Sequence, residues 1–175
     1  SSLAMSTMEA TLVLFVGDRF QWGIREVSFG FAFIGLIIVL SQGFLVRRLL
    51  PIVGEKRMLV AGLTMMGISL SLIADSDQIW ILAISQTILA FGASFTNPSS
   101  MGSISLLSPP EEQGSVMGTA QGTASLGRII GPLLGGVAYG AIHIVAPFLI
   151  GGLMAFSALC VVIALFSRLP DHGKL

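Results

Sequence analysis

Six apolar stretches, at about 1 to 17, 27 to 49, 58 to 74, 78 to 103, 114 to 141 and 144 to 167, alternate with short polar punctuation along this chain of 175 residues. About 20 residues of helix cross the hydrocarbon of a bilayer. Five of the stretches are therefore of full or nearly full spanning length, and the first is clipped at its N-terminal end. The third is short, yet KRMLVAGLTMMGISLSLIA has no charge after Arg57. A soluble six-helix bundle carries amphipathic stripes with charged outer faces. These segments are apolar nearly all round, and the chain reads as an all-α integral membrane protein, a bundle of six transmembrane helices.

Composition agrees. Of all residues 54% are hydrophobic and 10% charged, against roughly a quarter charged in an ordinary soluble domain. Nine basic and nine acidic side chains leave no net charge, so nothing points to a polyanionic partner such as nucleic acid. The lone Cys160 lies in an apolar run and reads as packing, which leaves no disulfide framework and no zinc cluster. No metal or organic cofactor is expected. The chain opens with SSLAMS, without an initiator methionine or a recognisable signal peptide, and enters an apolar stretch at once; it is expected to be a piece of a longer protein.

Basic residues give the topology. VRRLLPIVGEKRM, read as a loop, holds Arg47, Arg48, Lys56 and Arg57, and the tail SRLPDHGKL adds Arg168 and Lys174. With six helices alternating in direction, that loop, the SPPEEQGS loop and the C-terminus fall on one face, which the positive-inside rule makes cytoplasmic. The opposite face has Arg19 and Arg25 offset by Asp18 and Glu26, then DSDQ and a tight turn near His143.

The helix order, LFVGDRFQWGIREVSFGFAFIGL around the first external loop, QGFLVRRLLPIVGEKR between the second and third spans, EEQGSVMG before the fifth and GRIIGPLLGG within it together resemble the C-terminal six-helix half of a major facilitator superfamily transporter. The likeness covers essentially the whole chain and is greatest to the tetracycline-resistance and multidrug proton-antiporter branch. It implies twelve helices in two pseudosymmetric halves, a substrate site between them near the bilayer midplane, and alternating access by rocking of one half on the other. The N-terminal half of the same transporter is then the missing partner, a small molecule the substrate, and a proton gradient the driving force. The setting implied is a bacterial inner membrane.

Each motif has a packing reading beside a functional one. In GFLVRRLLPIVGEKR, Gly43 is expected to let helix ends approach closely, Gly54 punctuates the segment, and the basic residues either set topology or latch the cytoplasmic side against acidic groups and helix C-termini. Arg47 stands where the family pattern has an acid. In the fifth span Gly114, Gly118 and Gly122, then Gly127, Gly131 and Gly135, then Gly136 and Gly140 follow a near four-residue rhythm. Such spacing places small residues along a ridge where a neighbouring backbone can come close. Gly127, Gly131, Pro132, Gly135 and Gly136 have the form of the family's antiporter signature, here in the symmetry-related helix.

Arg128 stands out in this span. It lies about 18 Å before Gly140 along a helix rising 1.5 Å per residue, which is near the middle of a core about 30 Å thick. An unpaired arginine there is costly, so it is expected to face the bundle or a wet cavity and to have a partner. Pro132 cannot donate the backbone bond that would satisfy the Arg128 carbonyl. Glu9 in STMEATLVLF is the other ionisable residue deep in a span, at a similar depth, and the family arrangement makes its helix a neighbour of the fifth span. An ion pair is expected, either structural or taking part in proton or substrate handling.

Gln86 and Asn97 on the fourth span are eleven residues apart and share a face, flanked by Ser94 and Thr96, and Pro98 frees the Ser94 carbonyl. With Gln121 on the fifth span they complete the candidate pathway set of Glu9, Arg128, Gln86, Asn97 and Gln121. Trp22 and Trp80 read as interfacial anchors. An intramembrane enzyme would need an acid dyad, a metal-ligand set or a serine with a base. The histidines, His143 and His172, sit near membrane boundaries, and neither HExxH nor GxSxG occurs, so no enzymatic activity is expected. A purely structural membrane protein explains the glycines but has no use for a midplane charge. A transporter half explains both, and scattered amide, hydroxyl and aromatic groups suit amphipathic compounds better than sugars.

Overall fold

The computed structural model describes residues 2–166, which contain helices and turns but no strand. The order is α1 (Ser2–Phe20), α2 (Ile24–Leu40), a π-helical turn (Ser41–Val46) running on into α3 (Arg47–Val53), then α4 (Glu55–Ala74), α5 (Ile79–Leu107), α6 (Gln113–Ala141) and α7 (Ala146–Phe166). Because α2, the π turn and α3 are continuous, the described residues form six rods. Four of them, 24–53, 55–74, 79–107 and 146–165, are long and apolar enough to cross a membrane. The other two, α1 and α6, are less apolar because they hold the polar groups of interest: Glu9, Asp18 and Arg19 in α1, and glycines, serines and threonines around Arg128 in α6.

The basic segment differs from the expected loop. Arg47 and Arg48 lie on α3 and Lys56 and Arg57 in the first turn of α4, with one break at Gly54. Gly54 has φ 84° and ψ 155°, a conformation a Cβ resists. That single residue reverses the chain without a loop.

Lipid supplies no hydrophobic drive between helices, so close contact depends on small residues and hydrogen bonds. The α4–α5 pair shows both. A Cβ on Gly62 would stand 2.8 Å from the Gly92 carbonyl oxygen, and one on Gly92 would stand 2.9 Å from the Gly62 carbonyl oxygen. Further along, the Ser69 hydroxyl donates to the Ser85 carbonyl at 2.5 Å. On the other side of α4 the Phe156 ring of α7 lies over Gly67. Helix α1 closes this core with Met8, Leu12 and Phe15 among Met66, Leu70 and Leu89, and Phe15 meets Phe148 edge to face at 5.0 Å. In contrast α2 has no buried residue, and Phe29, Phe33 and Phe44 on its rod are exposed.

Contacts at the two ends give the helix directions. A Cβ on Gly102 would meet the Glu55 side chain at 2.9 Å, so the α3–α4 break and the 108–112 turn share one end. At the other end Arg19 pairs with Asp77, and the Tyr139 hydroxyl donates to the Asp18 carboxylate. Those contacts gather the C-terminal ends of α1 and α6 and the α4–α5 turn. Arg168, His172 and Lys174 lie outside the described residues.

Candidate translocation cleft

Helix α6 runs parallel to α1 and is seated on it by three of its glycines. A Cβ on Gly131 would stand 2.8 Å from Ser6 Cβ, one on Gly135 2.9 Å from the Thr7 carbonyl oxygen, and one on Gly127 3.3 Å from the Leu3 amide nitrogen. Two hydroxyls of α1 complete the seam. Ser6 donates to the Arg128 carbonyl at 2.9 Å and Thr7 to the Gly131 carbonyl at 3.1 Å. The first acceptor is the carbonyl that Pro132 deprives of its helical donor. Sequence reasoning identified the freed carbonyl and missed Ser6, whose signal is a small hydroxyl three residues before Glu9 on the facing helix.

The expected ridge is only partly a packing surface. Gly114, Gly118, Gly122, Gly136 and Gly140 have nothing within 4 Å of where a Cβ would stand. At about 100° per residue, Gly127, Gly131 and Gly135 stay on the α1 side. Gly136 is one residue out of phase and turns away. Gly43 likewise has nothing within 4 Å, so the close approach expected there is absent: it sits on the outward side of the π turn, which no other helix covers. Arg47, Arg48, Lys56 and Arg57 are all exposed.

Seating α6 on α1 opens a cleft of about 170 Å³ whose polar walls come from four rods: Ser2, Ser6 and Glu9 of α1, Gln42 of the π turn, Asn97 of α5 and Arg128 of α6. Ile38, Met66 and Ala93 supply apolar surface. Glu9 and Arg128 thus face one space from neighbouring helices, as opposite charges with no ion-pair contact between them. Both are exposed, as is Asn97. The expected ion pair is not made; the two charges stand on one open cleft wall, because the six helices leave that side uncovered.

Gln86 and Asn97 share a face of α5 but not a pocket. Gln86 is 6% exposed and lines a second cleft of about 160 Å³, nearly all apolar, walled by Leu12 and Val16 of α1, Trp22, Phe31 and Ile34 around α2, and Ile79 and Leu82 of α5. Its Oε1 has no hydrogen-bond partner. Eleven residues of rise, about 16 Å, separate the two levels. Trp22 stands in this wall and against the core, with Phe20 at 6.3 Å, so it packs as well as facing outward, whereas Trp80 is exposed. Gln121 is exposed on α6, outside both clefts. Ser94 and Thr96 donate to the carbonyls of Ala90 and Gly92 and leave no hydroxyl proton for a ligand.

Apolar rods closed by glycine contacts, with opposite charges on an open polar cleft at the level of a helix that carries an internal proline, define an all-α integral membrane protein of the solute-transporter class. Comparison with known proteins places it within that class: a family model described as Major Facilitator Superfamily matches residues 1–175, and the chain belongs to that superfamily. That is a superfamily of transporters rather than enzymes. Among curated relatives, the class B tetracycline resistance protein of Escherichia coli is 29% identical over 127 residues, which are 73% of this chain and 31% of that protein. The class E protein of the same organism is 32% identical over 75% of this chain and 33% of its own length. The human synaptic vesicular amine transporter is 34% identical over 51% of this chain and 18% of its own length. The matched stretch thus spans about a third of the tetracycline-resistance relatives.

Proposed function

We propose that this chain is the C-terminal half of a secondary active transporter that exports small amphipathic compounds in exchange for protons. All six rods span the membrane, with the α3–α4 break and the C-terminus on the cytoplasmic side of a bacterial inner membrane. The N-terminal half of the transporter covers the open cleft, and alternating access follows from rocking of the two halves. The observation that carries this reading is the placement of Glu9 and Arg128 on one polar cleft wall. An acid there can exchange a proton with water. The guanidinium stands across the same cleft, and a substrate entering it competes for either group. The apolar second cleft beside Gln86 suits the hydrophobic body of such a substrate. The tetracycline-resistance relatives support export over uptake.

The test is accumulation of tetracycline and of ethidium in cells expressing the full-length protein, with and without a protonophore. Lower accumulation that the protonophore abolishes supports proton-driven export. Raised accumulation assigns uptake instead, and Glu9→Gln with unaltered transport removes the cleft from the mechanism.

A further inference from the structure

A glutamine in an apolar wall needs a reason, because a buried amide oxygen without a donor costs free energy comparable to a lost hydrogen bond. Gln86 of α5 is 6% exposed, and its Oε1 has no partner. Other polar side chains on α5 settle locally: Ser85 and Ser94 donate one turn back, to the carbonyls of Ile81 and Ala90. Gln86 instead lines the second cleft.

The lining of that cleft restricts what can enter it. The volume is about 160 Å³, and an apolar cavity of about 150 Å³ accommodates a benzene ring. Trp22 and Phe31 supply aromatic wall, and Leu12, Val16 and Ile34 aliphatic wall. Among the described residues no ionisable side chain lines the cleft, so an ion entering it gives up hydration and gains no countercharge. Internal water typically makes about three hydrogen bonds, more than one amide oxygen in an apolar lining offers. A hydrocarbon chain covers the walls but leaves Oε1 without a donor. We propose that the cleft between α1, α2 and α5 binds a neutral, single aromatic ring that carries one O–H or N–H group, with Gln86 Oε1 accepting from that group. The ring packs against Trp22 and Phe31. This rests on the export reading, in which the hydrophobic body of a substrate enters here, and adds the polar group which that body carries.

Phenol and anisole, one ring with a donor and one without, are the probes, titrated into the full-length protein in detergent and followed by ligand-observed NMR. Gln86→Leu keeps the size of the side chain and leaves no buried acceptor. The variant is therefore expected to insert, and the ratio of phenol to anisole affinity to fall about tenfold. Taking the ratio cancels the different partition of the two probes into detergent. Gly30→Leu, which places a branched side chain toward the Trp22 ring, is expected to abolish saturable binding of both, and it tests the site should Gln86→Leu fail to insert. An unchanged ratio in Gln86→Leu, intact phenol binding in Gly30→Leu, or no saturable phenol binding in the unaltered protein overturns the proposal. Binding is read apart from export. A protein that binds phenol in this way but fails the accumulation test keeps the site and loses the exporter, and one that exports but binds neither probe loses the site alone.

Discussion

The Ser6 hydroxyl of α1 donates at 2.9 Å to the main-chain carbonyl of Arg128 in α6, the acceptor that Pro132 leaves without a helical donor. One small side chain thus fills the gap that a proline opens on the neighbouring helix, at the level where the cleft carries its positive charge. Ser6→Ala is expected to destabilise the full-length protein by about 1 kcal/mol in detergent melting. Pro132→Ala restores an N–H in α6, so in that background the same Ser6→Ala change has a clearly smaller effect. An equal loss in both backgrounds contradicts the relationship.

Gly131 and Gly136 separate packing from the rest of the motif. A methyl on Gly131 meets Ser6 Cβ at 2.8 Å, while one on Gly136 meets nothing within 4 Å. Gly131→Ala is expected to lose about 1–3 kcal/mol by forcing α1 and α6 apart. Gly136→Ala is expected to leave the isolated six-helix unit unaffected, and a loss it causes only in the full-length protein supports contact with the N-terminal half proposed above. Membrane-inserted yield and melting of both variants in both forms make the comparison.

For Glu9 and Arg128 the open cleft changes the size of the expected effect. A buried pair broken on one side loses about 3–5 kcal/mol. Charges exposed to a wet cleft interact far more weakly, and Glu9→Gln or Arg128→Gln is expected to shift stability by less than about 1 kcal/mol. Transport, by contrast, is expected to fall at least about tenfold, equivalent to roughly 1.4 kcal/mol of lost differential interaction. Large melting losses with intact transport would return the pair to a structural role.

Gly54 is the hinge between α3 and α4, with φ at 84°. Gly54→Ala is expected to destabilise by about 1–3 kcal/mol, since positive φ with ψ at 155° is backbone that essentially only glycine adopts. The substitution meets no atom within 4 Å, so the loss reports backbone strain alone. Gly43→Ala, where φ is ordinary and space is open, serves as the neutral control.

The membrane class and the alternating helix directions were legible in the residues themselves, because spanning length and apolar content are local properties that need no partner to be read. So was the freed carbonyl at Arg128, since a proline removes its donor wherever the helix goes. Other features depended on what lies opposite. Only the packed helices show that Gly127, Gly131 and Gly135 bear on α1 while Gly136 and Gly140 face open space, since a glycine's use depends on the neighbour it admits. Ser6 looked like any serine until α6 was laid beside it. Gln86 and Asn97 share a helical face by their spacing, yet tertiary packing puts them in separate clefts, one apolar and one charged. The same holds for Glu9 and Arg128: their depth along the helix axis follows from counting residues, but whether two charges touch, and whether water reaches them, is decided by which helices cover them.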